Sequence, residues 1–229
     1  MGYGIVLHVS GDYALFTRPE MKSERVSYDV MTPSAARGIL EAILWKPAIR
    51  WVVRQITVLN PIEFESIRRN EVGSKVPPRN VMAAMSGADI DLHQYPELDR
   101  QQRSSLVLRN VSYIIDAYFE IISNRAGSND TPEKFYNMFL RRARQGQCFH
   151  QPYLGCREFA ARFKLIEVDE VRPRSCYLKE EDIDLGWMLW DIDYKEKNGN
   201  KKTMYEFTPR FFRARMKGGV IEVPQEVRG

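Results

Sequence analysis

The chain is 229 residues long, with 34 Lys and Arg against 30 Asp and Glu (formal net charge +4), and is 44% hydrophobic and 28% charged. That is the balance of an ordinary globular chain, long enough for one large domain or two modest ones. Three cysteines (Cys148, Cys156, Cys176) with no CxxC pair argue against a disulfide framework or a zinc knuckle, and no apolar run approaches the roughly 20 residues of a membrane span.

In chain order, Gly4 to Val9 reads as a short apolar strand. Gly11-Asp12 marks a turn, and Tyr13 to Phe16 continues extended to the break at Pro19. Lys22, Glu24 and Arg25 form a polar loop. Thr32-Pro33 is a helix start: the hydroxyl accepts from first-turn amides, and Pro loses no needed donor at the first helical position. Ala36, Ile39, Leu40 and Ile43 then form an apolar stripe at helical spacing. Pro47 is expected to stop that helix after Trp45-Lys46, and Trp51 to Val58 is β-branched and aromatic, as a strand requires.

Between 61 and 102 the pattern is irregular, with Pro77-Pro78, Gly73, Gly87 and Pro96. This segment reads as an insertion. Its basic residues Arg68, Arg69, Lys75 and Arg79 suit a nucleic-acid backbone, but Asp89, Asp91, Glu97 and Asp99 equally suit a solvated loop. Ser104 to Val111 and Ser112 to Ile122 read as two paired extended segments. Thr131-Pro132 repeats the first helix cap, and the following helix, Glu133 to Gln145, places Phe135, Met138 and Phe139 on one side. Lys134, Asn137, Arg141 and Arg144 lie on another, and Gly146 closes the helix. Tyr153 to Glu167 is expected to be extended.

The order β-α-β, insertion, β-α-β is that of an α+β, ferredoxin-like domain, the RRM-like arrangement, over residues 1–168. From about Asp169 the character shifts. Leu185 to Tyr194 and Met204 to Met216 read as strands flanking a polar turn, Lys195 to Lys202, and Gly218-Gly219 leads to Val220-Ile221-Glu222-Val223. A small antiparallel β subdomain over 169–229 is expected.

The usual marks of several chemistries are missing. His8, His93 and His150 are widely spaced and form no HExxH motif, and there is no GxGxxG, GxxxxGK[ST] or GxSxG. No metal site and no cofactor are expected. The N-terminus MGYGIVLHV lacks a signal peptide's basic flank and cleavage site, so no membrane partner and a cytoplasmic location are expected. What remains is a basic helix face, a basic insertion and aromatic residues at strand edges, on a fold that commonly displays single-stranded RNA. The residues alone support an RNA-binding protein and go no further.

Several separated blocks carry a resemblance. They are Gly11-Asp12-Tyr13-Ala14-Leu15-Phe16-Thr17-Arg18-Pro19, Ser27-Tyr28-Asp29-Val30 and Thr32-Pro33-Ser34-Ala35-Ala36-Arg37-Gly38-Ile39, followed by Trp45-Lys46-Pro47, Arg68-Arg69-Asn70-Glu71-Val72 and Leu154-Gly155-Cys156-Arg157-Glu158-Phe159. Together, over nearly the whole chain, they resemble the CRISPR-associated protein of family five in its subtype I-C branch. The resemblance implies a RAMP-type domain that cleaves precursor CRISPR RNA at the repeat hairpin without a metal. It also implies that the protein stays on the 5′ handle as a subunit of the type I-C interference complex.

The family's usual catalytic set is a Tyr or His just before Trp-Lys-Pro and a Lys-His pair in the first turn of the second helix. Here those positions are Leu44, Lys134 and Phe135, so one of three groups is kept. Lys134 is then the candidate for stabilising phosphate charge, with His150 and Tyr136 as substitute proton-transfer groups. Tyr153 is a further candidate donor. The resemblance and the charge pattern nominate Lys46, Arg68, Arg69, Lys75, Arg141, Arg144 and Arg157 as RNA contacts. Two readings stay open: a repeat-specific endoribonuclease with a rearranged site, and a non-catalytic RNA-binding subunit. Duplex DNA binding through 68–79 is a third.

Overall fold

The computed structural model describes residues 3–21, 24–179, 182–197 and 204–226. Its centre is an antiparallel sheet whose middle strand, β5 (Arg100–Ile121), runs for 22 residues. Along its second half β5 is flanked by β1 (Ile5–Ala14) and β3 (Ile49–Val58), with Leu7 opposite Ile115 and Ile56 opposite the same residue on the other side. β6 (Arg162–Leu165) closes the β1 edge. The order β6-β1-β5-β3 is antiparallel at every step.

Helices α1 (Pro33–Ile43) and α3 (Pro132–Arg144) pack on one face. In each a Thr caps the first turn, Thr32 accepting from the Ala35 amide and Thr131 from that of Lys134. Alternation along β1 sends Ile5, Leu7 and Val9 into the core beneath them, where Ile39, Leu40 and Ile43 of α1 and Phe135 and Phe139 of α3 are buried. The opposite face is crossed by the segment after β6. There Ser175 Oγ donates to the Val58 carbonyl at 2.5 Å, and Arg172 pairs with the buried Asp116 at 2.9 Å.

Three expectations change. The segments Ser104–Val111 and Ser112–Ile122 do not pair with each other but form one continuous strand, because no turn-forming pair separates them. Asn110 alone takes φ +49 and kinks the strand without reversing it. The insertion is not irregular. β4 (Phe64–Val72) pairs with the first half of β5 from Phe64–Leu108 out to Val72–Arg100, making a ribbon that carries α2 (Pro78–Met85) near its tip. Both faces of β4 are mostly polar, with Phe64 and Val72 on one and Ile67 on the other, so a hydrophobic pattern shows no clear period. Tyr153 to Glu167 is mostly a looped turn with one Tyr153–Ala160 bridge, and only β6 is strand.

The C-terminal strands β7 (Ile183–Lys197), β8 (Met204–Lys217) and β9 (Val220–Glu222) form an antiparallel set. β9 also pairs with β3, so this set continues the main sheet, and Met188, Phe212 and Met216 join the same core as α1. The polar turn expected at 195–202 lies in part outside the described residues.

Candidate nucleic-acid interface

The end of α1 is fastened by three parts of the chain. Its last carbonyls have no intrahelical donors, and each finds an external one. Ala42 accepts from the Phe149 amide at 2.8 Å, Ile43 from Arg142 at 2.7 Å, and Leu44 from the Trp51 indole at 2.8 Å. The helix ends at Ile43, earlier than Pro47 alone implied. Leu44 turns extended (φ −145, ψ 107) and drops its side chain into the core. Trp45, 60% exposed, and Lys46 then emerge at the surface on a rigid corner.

The start of α3 meets that corner. Lys134 Nζ pairs with Asp130 at 2.9 Å and reaches the Asn129 carbonyl at 3.3 Å. The Gly127 amide, then Lys134, hold the Asp130 carboxyl below its ordinary range, with a smaller attraction from the charge of Lys46. Lys134 thus pairs with the carboxylate, while Lys46 makes no ion pair among the described residues. A single carboxylate neutralises one ammonium and leaves net positive charge, which is what an RNA phosphate would answer.

The remaining nominated residues divide. His150 is exposed, stacked against Tyr153 at 6.4 Å between centroids, in the loop that Phe149 ties to α1. Tyr136 lies two helical positions from Lys134 and so on another side of α3. Its ring packs on Tyr3 at 4.9 Å and lines a cavity with Leu140, Leu165 and Glu167. Among the described residues no hydrogen bond or ring contact joins His150 or Tyr136 to Lys134.

Of the basic residues on and below α3, Arg141 is exposed without an ion pair among the described residues, whereas Arg144 Nε and Nη2 donate to Glu167 at 2.7 and 3.0 Å. Arg157 is exposed and unpaired among the described residues, because Glu158 binds Arg69 and Glu167 binds Arg144. On the ribbon, strand alternation points Arg68 to solvent and turns Arg69 inward to Glu158, Glu71 and Phe159. Lys75 is exposed in the loop before α2.

Three participants were not singled out from the sequence: Asp130, Arg142 and Phe149. Phe149 is 86% exposed, unusual for a ring of that size. Arg142 falls between the nominated Arg141 and Arg144, and only the helix phase relative to α1 tells them apart.

Cations and exposed aromatic rings beside an antiparallel sheet are the residue types from which nucleic-acid-binding surfaces are built, and that is the class of protein the comparisons bear on. A family model described as CRISPR-associated protein, of the Cas5d type, matches residues 4–224. The chain belongs to the Cas5 family, type I-C branch. It is 52% identical over 226 residues to a protein of Mannheimia succiniciproducens named CRISPR pre-crRNA endoribonuclease Cas5d, covering 98% of this chain and 96% of the other. A protein of the same name from Thermus thermophilus is 40% identical, with 95% and 90% covered. Among solved structures, a CRISPR-associated protein superposes with a TM-score of 0.66 at 25% identity, over 96% of this chain and 90% of that one. A functionally uncharacterised Streptococcus mutans protein superposes with 0.68 at 23% identity, over 99% and 95%.

No helix among the described residues is long and apolar enough to cross a membrane. No group of three or more His, Cys, Asp or Glu residues among them is placed to hold a metal ion.

Proposed function

We propose that the protein is a CRISPR pre-crRNA endoribonuclease that binds the repeat hairpin, cuts it, and remains on the 5′ handle as a subunit of the type I-C interference complex. The observation that carries this reading is near full-length 52% identity to a protein named for that activity. The Lys46–Asp130–Lys134 corner supplies a phosphate site in support. The strand order β6-β1-β5-β3 with two helices on one face supports the ferredoxin-like reading, to which the β7–β9 set adds a C-terminal extension of the same sheet.

The step we assign is attack of a ribose 2′-OH on the adjacent phosphorus. The 5′-oxygen of the next nucleotide leaves, giving a 2′,3′-cyclic phosphate and a 5′-hydroxyl. The nucleophile is already held beside the phosphorus, so positioning and charge stabilisation do most of the work and no metal-bound water is required. Lys134, with Lys46, offsets the charge that builds on the non-bridging oxygens. His150 is the proton-transfer group, on a loop beside the same corner. Tyr136 packs away from it and is assigned to the α3 interior.

The test is repeat RNA cut in excess EDTA. We expect cleavage to persist, to stop with a single 2′-deoxy at the scissile nucleotide, and to leave a cyclic phosphate. Normal cleavage of the deoxy RNA would remove the mechanism.

One observation favours a second reading. Leu44 and Phe135, where the family carries proton-transfer groups, are 0% and 2% exposed and part of the core. A non-catalytic subunit would bind repeat RNA but leave it intact at stoichiometric protein, with or without Lys134.

A further inference from the structure

A cavity of about 390 Å³ lies away from the cationic corner. It opens between the first turns of α1, the Leu15–Thr17 segment after β1, the loop at Gly155 and strand β7. This volume falls in the range of small-molecule sites, roughly 300–1,000 Å³. We propose that it takes one unstacked nucleobase of the bound RNA. The proposal rests on the repeat-RNA reading above and adds to it a site for a base, where the corner serves only phosphate.

The lining decides the class of ligand. None of its residues carries a charge; the first turn of α1 lines it, but there Pro33 has no amide hydrogen and the Ala35 amide donates to Thr32, so little is left to hold a phosphate or a carboxylate. Phe16, Leu189 and Ile192 give apolar walls, Tyr153 gives an aromatic face, and the hydroxyls of Thr17 and Ser34 give edge hydrogen bonds. A flat, neutral, apolar-faced heterocycle with polar edges is what such a lining accepts, and single-stranded RNA is read by bases splayed into such pockets.

Two glycines keep the cavity as it is. Gly38 sits inside α1, where glycine is the poorest helix former after proline. Packing does not require it: a Cβ at Gly38 would meet nothing within 4 Å. What the missing side chain preserves is free volume, since Gly38 lines the cavity. Gly155 is forced by geometry. It has φ +81, and a Cβ there would lie 2.1 Å from the Leu15 carbonyl oxygen. The far wall is fixed to α1 by Arg37, which pairs with Asp191 of β7 at 2.6 Å and with Glu41 at 2.8 Å.

The place fits a strand that also reaches the corner. Tyr153 both lines the cavity and stacks on His150. Gly38 precedes Leu44 by six residues of helix and cap, roughly 9 Å along the axis, a distance that one or two nucleotides span.

The test is a coupling measurement on the full-length protein with its own repeat RNA, using a series of single abasic substitutions. In wild type, one abasic position in or beside the handle is expected to weaken binding about tenfold more than its neighbours. Gly38→Leu, which places a side chain in the cavity, is expected to weaken intact RNA about tenfold and to be indifferent to that same abasic position, because the base no longer has a site. Gly38→Ala serves as the fold control. It should melt at or above the wild-type temperature, with a loss of affinity smaller than that of Gly38→Leu. If Gly38→Leu folds and every abasic position costs it what it costs wild type, the pocket reading is overturned. The same holds if no abasic position stands out in a wild type that binds and cuts. A wild type that neither binds nor cuts repeat RNA would instead remove the functional reading itself.

Discussion

Arg142 donates to the carbonyl of Ile43 at 2.7 Å, joining the last turn of α3 to the last turn of α1. A cation there satisfies an orphan carbonyl and lies at the negative end of the α1 dipole. The bond fixes where the chain leaves the helix, and so where Trp45 and Lys46 project. Arg142→Met keeps the aliphatic packing and removes the bond. We expect a loss of about 1 kcal/mol, below the usual range for a charged hydrogen bond because the side chain is half exposed. Urea denaturation measures it, and an unchanged midpoint would show that the other two donors to this helix end suffice.

On the proposed function, Asp130, which pairs with Lys134 at 2.9 Å, competes with RNA for that lysine. Removing its charge with Asp130→Asn frees Lys134, so repeat RNA should bind more tightly at low salt and with a steeper salt dependence. Lys134→Ala should act in the opposite sense on affinity and slow single-turnover cleavage by about 100-fold, the scale of one lost transition-state donor. Equal cleavage rates in Lys134→Ala and wild type would take Lys134 out of the reaction.

Arg141 and Arg144 are not equivalent despite sharing a helix face. Arg144 is held by two hydrogen bonds to Glu167, while Arg141 has no ion pair among the described residues. Arg141→Gln should lower repeat-RNA affinity and reduce the slope of log K against log salt by about one. Arg144→Gln should change that slope less. Filter binding across a salt series separates the two, and identical slopes would argue that the Glu167 pair opens on binding.

His8 gives the stability a pH dependence. Burial, then the charge of Lys164, hold its imidazole below the ordinary value of 6.5, and its Nε2 lies 2.8 Å from the Ser112 hydroxyl. The unfolded chain therefore binds the proton more readily than the folded one between the two values. The His8 contribution is fully present above about pH 6.5 and is lost as pH falls through the lower folded value. His8→Gln should shrink the difference in unfolding free energy between pH 7.5 and pH 5.5, read by denaturant titration. A difference as large as wild type would assign the slope to other groups.

Where a signal is local, the sequence was sufficient. Thr-Pro caps both major helices as read, the apolar stripe Ala36–Ile39–Leu40–Ile43 is the buried face of α1, and β7 and β8 lie where their aromatic runs placed them. The family, too, was legible, because its motifs are short contiguous blocks. The ribbon and the continuity of β5 were not. β4 has few apolar residues on either face, and β5 pairs with β4 up to Leu108, with β1 from Leu108 and with β3 from Tyr113, something no property of the strand itself announces. The site follows the same division. Lys134, Arg144 and Arg69 were visible as charges like Lys46 and Arg141, but that the first three are paired depends on Asp130, Glu167 and Glu158. Leu44 and Phe135 could be seen in the sequence to lack a proton to give. That both are core residues, and that Trp45 beside one of them is exposed, was decided only when α1 and α3 met over the sheet. Spacing along one helix fixes a face; which face meets solvent depends on what the other elements cover.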